Sequence, residues 1–135
     1  MNLQGTMSPT LAGSRVLVAE DDPFIAAELQ DLLSEKGAEV MGPVPTVRAA
    51  MAAIEAEIPD AAVLDVNLRD ASSAPIATAL RSAAVPVVLV TGYSRHLLDD
   101  PTLREAPIVS KPLRAEELLI VLCRLVSRQR QPQVA

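Results

Sequence analysis

The feature that most constrains this chain is a set of four short apolar runs, each closed by a polar residue of distinctive chemistry. Residues 16–19 (VLVA) end at Glu20, Asp21 and Asp22; residues 61–64 (AAVL) end at Asp65; residues 86–90 end at Thr91 and Gly92; residues 107–110 run into Lys111 and Pro112. Apolar runs of this length between turn signals read as strands buried on both faces. A fifth strand is expected over residues 38–41, with Gly42, Pro43 and Pro45 turning the chain into the next helix. Segments of helical spacing separate the runs. Ile25, Leu29, Leu32 and Leu33 share a face before a left-handed stop at Gly37; Val47, Ala50, Met51 and Ile54 share another; Ile76, Ala79 and Leu80 a third. A last helix over about 114–128 turns Leu118, Val121, Leu122, Leu125 and Val126 inward. The stretch 93–105 offers only a short helix over 96–99, broken by Pro101. Parallel strands need crossover helices, so the alternation predicts a doubly wound α/β domain: a five-stranded parallel sheet with helices on both faces.

Composition sets the remaining bounds. With half of 135 residues apolar, one domain over 14–128 has material for a core, between a flexible arm at 1–13 and a flexible tail at 129–135. A net charge of −5 opposes attraction to phosphate backbones, so nucleic acid is not an expected partner. One cysteine, Cys123, cannot form an intrachain disulfide, and with the single His96 it cannot build a Cys/His zinc site; any metal must be held by oxygen. There is no signal-peptide pattern and no run near the roughly 18 apolar residues of a membrane span, which makes a cytoplasmic protein with no membrane partner the expectation.

In open parallel sheets ligands bind outside the carboxyl ends of the strands. Glu20, Asp21, Asp65, Thr91 and Lys111 all fall there. Two carboxylates 4 Å apart repel by about 4 kcal/mol at an effective dielectric of 20, so such a cluster calls for a cation or a shared proton. Oxygen-only ligands at an open site suit magnesium, which is commonly completed by a phosphate oxygen. An Asp carboxylate can act as nucleophile toward phosphorus while lysine and threonine take up charge on the transferred oxygens. Asp22, just before Pro23, reads as a helix N-cap and Cys123 as a small core residue.

The segments VLVAEDDP, VLDVNL, VLVTGY and VSKPL, in that order, resemble the receiver domains of two-component response regulators over about residues 14–127. The resemblance implies a flavodoxin-like strand order of 2-1-3-4-5. It also implies that Asp65 is the phosphoacceptor, Asp21 a direct Mg2+ ligand, Glu20 a ligand through water and Asn67 a ligand through its backbone carbonyl. Thr91 and Lys111 would contact the phosphoryl oxygens, and the Lys111 to Pro112 peptide would be cis. The implied donor is a histidine kinase or a histidine phosphotransfer protein. Such a domain is a switch modifying itself, not an enzyme, and its output passes through protein contacts around the fourth helix and fifth strand or ends as a phosphate sink. With residues 129–135 alone after the last helix, no effector domain is expected.

Three departures accompany the likeness. Glu20 stands where receivers commonly have Asp, and Ile108 where many have an aromatic switch. Tyr93, in a Val-Thr-Gly-Tyr run, is the alternative switch residue. That run also resembles an alphaproteobacterial subgroup of often stand-alone receivers with a Phe-Ala-Thr-Gly-Gly/Tyr motif, served by kinases of the HWE or HisKA2 type, although Leu89 and Val90 replace its Phe and Ala. Two other classes share part of the pattern: a receiver-fold adaptor that works without phosphorylation, and a magnesium-dependent phosphatase with an Asp nucleophile. The phosphatase usually has a second acid two residues beyond its nucleophile, where this chain has Asn67.

Overall fold

A strand buried on both faces must supply an apolar partner layer to its odd residues and another to its even ones. In the computed structural model, which describes residues 10–92 and 100–130, β1 (Arg15–Ala19) divides in this way. Val16 and Val18 enter one core cluster, and Leu17 and Ala19 the other. Strands β3 (Ala61–Leu64) and β4 (Val87–Thr91) do likewise: Ala61, Val63, Val88 and Val90 join the first layer, Ala62, Leu64 and Leu89 the second. The first layer is closed by α1 (Pro23–Glu35) through Leu29 and Leu33, and by α5 (Ala115–Arg130) through Leu118, Leu122 and Val126. The second is closed by α2 (Val47–Ala56) through Ala50 and Ile54, and by α3 (Ala74–Ser82) through Ile76, Ala77 and Leu80. Each fully buried Leu, Ile or Val contributes about 1.5–3 kcal/mol of transfer free energy, so the two layers hold the sheet from both sides. With β2 (Glu39–Val44) and β5 (Ile108–Ser110) at its edges, the sheet has the order β2-β1-β3-β4-β5, all pairs parallel. This is the flavodoxin-like order that the sequence resemblance implies.

Three local expectations are corrected. Gly42 and Pro43 do not turn the chain out of β2; the strand continues through a cis Gly42–Pro43 peptide to Val44. Pairing shifts there, Leu17 opposing Met41 and Ala19 opposing Val44, which leaves an extra residue in β2. Gly42 has φ +99°, and a Cβ on it would lie 2.9 Å from the Val18 carbonyl oxygen and 2.7 Å from Val44 N, so glycine is required. Pro101 also starts a helix of its own, which the sequence reading did not assign. It is the first residue of α4 (Pro101–Arg104), where its missing N–H costs nothing, and Asp100 caps the turn by accepting from Thr102 N at 2.8 Å. The helix expected over 96–99 lies outside the described residues. Finally, packing begins inside the arm assigned to 1–13. Leu11 is fully buried beside Leu29 and Leu33, and its amide donates to Lys36 O at 2.8 Å. At the other end α5 continues to Arg130, two residues past its expected limit.

Helix α1 ends as expected at Gly37, φ +94°, with Ala38 N donating to Leu33 O and Gly37 N to Ser34 O, a Schellman pair. Helix α3 ends in the same bonding pattern, Val85 N to Leu80 O and Ala84 N to Arg81 O, but its left-handed residue is Ala84, φ +60°. A left-handed non-glycine residue costs about 1–2 kcal/mol, partly offset for Ala→Gly by about 0.5–1 kcal/mol of unfolded-chain entropy. Ala84→Gly is therefore expected to stabilise the protein by about 0.5–1 kcal/mol, read as an upward shift of a few degrees in thermal unfolding.

Candidate functional site

Because every strand runs the same way, the residues just past the strand ends meet along one edge. Ala19 pairs with Leu64, so Glu20 and Asp65 emerge side by side, and Asp65 N donates to Ala19 O at 2.9 Å. Thr91 closes β4, is buried, and pairs with Ser110; its carbonyl accepts from Lys111 N at 2.9 Å, which starts the lysine from the neighbouring strand end. The β2 irregularity has a use here, since it carries Val44 O to within 3.0 Å of Glu20 N and fixes the backbone of the first acid.

From that position the Lys111 side chain reaches back across the edge. Its Nζ lies 3.0 Å from Asp65 Oδ2 and 3.3 Å from Glu20 Oε1. Glu20 is 2% exposed; its Oε2 accepts from Asp22 N at 3.1 Å, whereas Oε1 is buried with no hydrogen bond and only the ion pair to answer it. Burial, reinforced by the neighbouring Asp65 charge and only partly opposed by the Asp22 amide and Lys111, raises the Glu20 carboxyl to about 7. Burial pulls the Lys111 ammonium down, but its hydrogen bond to Asp65 and the two carboxylate charges outweigh this and leave it above its ordinary value. The Asp22 side chain is turned to another use: it is the N-cap of α1, accepting from Phe24 N at 2.9 Å and Ile25 N at 3.3 Å.

Glu20, Asp21 and Asp65 each offer a carboxylate oxygen within 4.8 Å of the others. A donor set made only of oxygen, with a buried carboxylate atom lacking a hydrogen bond, fits a hard divalent cation. The structure thus brings together Glu20, Asp21, Asp65 and Lys111, and places Thr91 at the adjacent strand end. Asn67 opens the loop after β3, exposed, and pairs with Ser72 in an antiparallel bridge. The Lys111–Pro112 peptide is cis. Ile108 is partly buried against the second core layer, and Tyr93 and His96 lie outside the described residues.

Sequence reading missed two residues of that loop. Arg69 Nη2 lies 3.4 Å from Asp21 O, and the Asp70 carboxylate accepts from Val47 N at 2.8 Å and Arg48 N at 3.3 Å at the start of α2. The helix that Asp70 caps lies far upstream of it, so no local capping pattern marks it.

Fold and site define a doubly wound α/β domain with an acid and lysine centre at the carboxyl edge of its sheet. The model of the response regulator receiver domain family matches residues 16–122, and the chain belongs to that family, the receivers of two-component signalling. It is 29% identical over 112 residues to the phyllosphere-induced regulator PhyR of Methylorubrum extorquens, covering 81% of this chain and 42% of that protein. It is 29% identical over 121 residues to the transcriptional regulatory protein PdtaR of Mycobacterium tuberculosis, covering 87% and 58%. The chain therefore spans about half the length of these curated relatives. Among solved structures, SdrG of Sphingomonas melonis Fr1 is 36% identical with a TM-score of 0.69, covering 89% of this chain and 99% of that one. The likeness to PhyR agrees with the alphaproteobacterial subgroup noted in the sequence. Among the described residues no helix is long and apolar enough to cross a membrane.

Proposed function

We propose that this receiver accepts a phosphoryl group on Asp65 from a phosphohistidine of a histidine kinase or histidine phosphotransfer protein, and later loses it to water. The observation that carries the reading is Lys111 Nζ held between Asp65 and Glu20 at the carboxylate cluster. Attack by an Asp65 carboxylate oxygen forms an O–P bond as the P–N bond of the donor breaks, the electron pair returning to the imidazole nitrogen. Lys111 then leaves its pairing with the carboxylate for the transferred oxygens, joined by Thr91, so the cation neutralises charge where it accumulates. Asp21 would hold Mg2+ directly, Glu20 through water and Asn67 through its carbonyl; when bound, the ion supplies charge neutralisation of the phosphoryl group. Water attacking phosphorus later releases inorganic phosphate and regenerates the carboxylate. Replacing the Asp65 carboxylate by an aspartyl phosphate adds about one net negative charge and three strong acceptor oxygens to a centre where acids and cations are in balance, which is how the state of Asp65 reaches the surface around α4 and β5 and a protein partner there. The site modifies itself and turns over no separate substrate. Kinases of the HWE or HisKA2 type are the proposed donors, on the subgroup resemblance.

Acetyl phosphate with Mg2+ is expected to give a hydroxylamine-sensitive phosphate on Asp65. No modification would favour the adaptor, and turnover of small phosphomonoesters the phosphatase. A protein donor is supported by Phe24, 85% exposed in the first turn of α1, a few residues from Asp21. An exposed aromatic at the rim of a site suits a protein contact; its truncation costs on the order of 1–2 kcal/mol. Phe24→Ala is expected to slow transfer from a phosphorylated histidine protein roughly tenfold at limiting concentration and to leave acetyl phosphate labelling unchanged. Equal slowing with both donors would remove Phe24 from the contact.

A further inference from the structure

The loop that carries Asn67 is closed as a narrow hairpin: Asn67 bridges Ser72, Leu68 N donates to Ala71 O at 2.9 Å, and Ser73 N donates to Val66 O at 2.8 Å. Its tip, Arg69 and Asp70, is fastened to an element that gives no residue to the carboxylate cluster. Arg69 N donates to Pro45 O at 3.3 Å, and the Asp70 carboxylate receives the first two amides of α2. Those amides, Val47 N first, hold the Asp70 carboxyl below its ordinary value. Helix α2 has a second, independent cap, since Thr46 Oγ1 accepts from Ala49 N at 3.1 Å. The helix therefore does not depend on Asp70 alone, whereas the loop tip has no other side-chain acceptor tying it to α2.

We infer that Asp70 is a positioning residue of the metal site: by capping α2 from a distance it fixes the hairpin that aims the Asn67 carbonyl. The inference rests on the proposed Mg2+ role of Asn67 and deepens it. Two docked amides and the Arg69 to Pro45 bond pin the tip on one side, and the Asn67 to Ser72 bridge transmits that position to the base of the loop. Without the Asp70 carboxylate the hairpin keeps its internal bonds and the longer contacts of Arg69 to Pro45 O at 3.3 Å and Asp21 O at 3.4 Å, but loses the two amide bonds that fix its tip on α2.

The test compares Asp70→Ala, Asp70→Asn and Thr46→Ala by Mg2+ titration followed by NMR, with amide exchange of Leu68 and Ser73 measured in the metal-free protein. Asp70→Ala is expected to weaken Mg2+ binding threefold to tenfold and to speed exchange at both amides by a similar factor. Asp70→Asn, which keeps an oxygen acceptor but not the charge, is expected to stay within twofold of the parent. Thr46→Ala, which removes the other cap of the same helix, is expected to lower the unfolding temperature without changing Mg2+ affinity. Three results would overturn the inference: unchanged affinity in Asp70→Ala, equal losses in Asn and Ala, which would mean a field effect of charge alone, or an equal loss in Thr46→Ala, which would mean a general weakening of α2. If the parent protein itself binds no Mg2+, the metal reading has failed, and the exchange rates of metal-free Asp70→Ala still decide whether Asp70 holds the loop.

Discussion

Asp65→Asn is expected to abolish labelling by acetyl phosphate and by a phosphorylated histidine donor, a loss of about 10³-fold or more, because an amide oxygen is far too weak a nucleophile toward phosphorus. The informative part is that the fold should survive. Asp65 repels Glu20 and attracts Lys111, whose Nζ lies 3.0 Å from one carboxylate and 3.3 Å from the other. Carboxylate oxygens of Glu20 and Asp65 lie within 4.8 Å of each other, so the repulsion of Asp65 by Glu20 and its attraction by Lys111 are each about 4 kcal/mol at an effective dielectric of 20, with opposite signs, and neutralising Asp65 removes two terms that largely cancel. Asn still offers Lys111 an oxygen, and Glu20 keeps its counter-ion. Stability is expected to be unchanged or raised within about 1 kcal/mol by urea unfolding. Loss of label together with loss of folding would leave the acceptor unassigned by this variant alone, so the unfolding curve belongs in the same experiment. Label retained by Asp65→Asn would move the acceptor to another residue.

The acids and the lysine were legible because parallel topology converts sequence order into position. Any residue that closes an apolar strand must lie on the same edge, so Glu20, Asp21, Asp65, Thr91 and Lys111 could be grouped before their contacts were known. The core was legible for a related reason: a run such as VLVA can be satisfied only by burial on both faces, as Val16 and Leu17 show by entering opposite clusters. What was not legible depends on backbone groups distant in sequence. Gly42 and Pro43 look like a turn in isolation, and only the pairing of Met41 and Val44 with β1 on either side of them makes them part of a strand. Asp70 reads as an ordinary loop acid until the start of α2 is brought to it. Leu11, in a stretch rich in small and polar residues, has no periodic partner in sequence, yet it fills the space beside Leu29 and Leu33. The helix that Pro101 begins was missed for a local reason. A proline is equally a stop and a first residue, and Asp100 before it is the signal that should have decided.

The metal-free protein is expected to lose stability as pH rises from about 5 to 7, contrary to the behaviour of a domain held by ordinary surface carboxylates. The Glu20 carboxyl titrates near 4.5 in the unfolded chain and is raised to about 7 in the fold, by burial first and by Asp65 second. Between those values the native state holds a proton that the unfolded state has released. Stability is therefore greatest at the acid end of the window, falls as Glu20 is forced to ionise inside the fold, and levels off above pH 7, where both states are charged. A displacement of this size corresponds to about 3 kcal/mol, since each unit is worth about 1.4 kcal/mol. Lys111 stays charged throughout and contributes no slope here, because its own value is raised. Urea midpoints measured in chelator at pH 5, 6, 7 and 8 should fall accordingly, and Glu20→Gln should remove most of the slope by making the buried group neutral in both states. Added Mg2+ should restore stability at pH 7–8 and have little effect at pH 5, because a divalent cation binds the ionised pair and must displace the proton from the neutral one. A flat profile in the parent protein would mean that Lys111 keeps Glu20 ionised in the fold without a metal, so that a cation would bind there without displacing a proton.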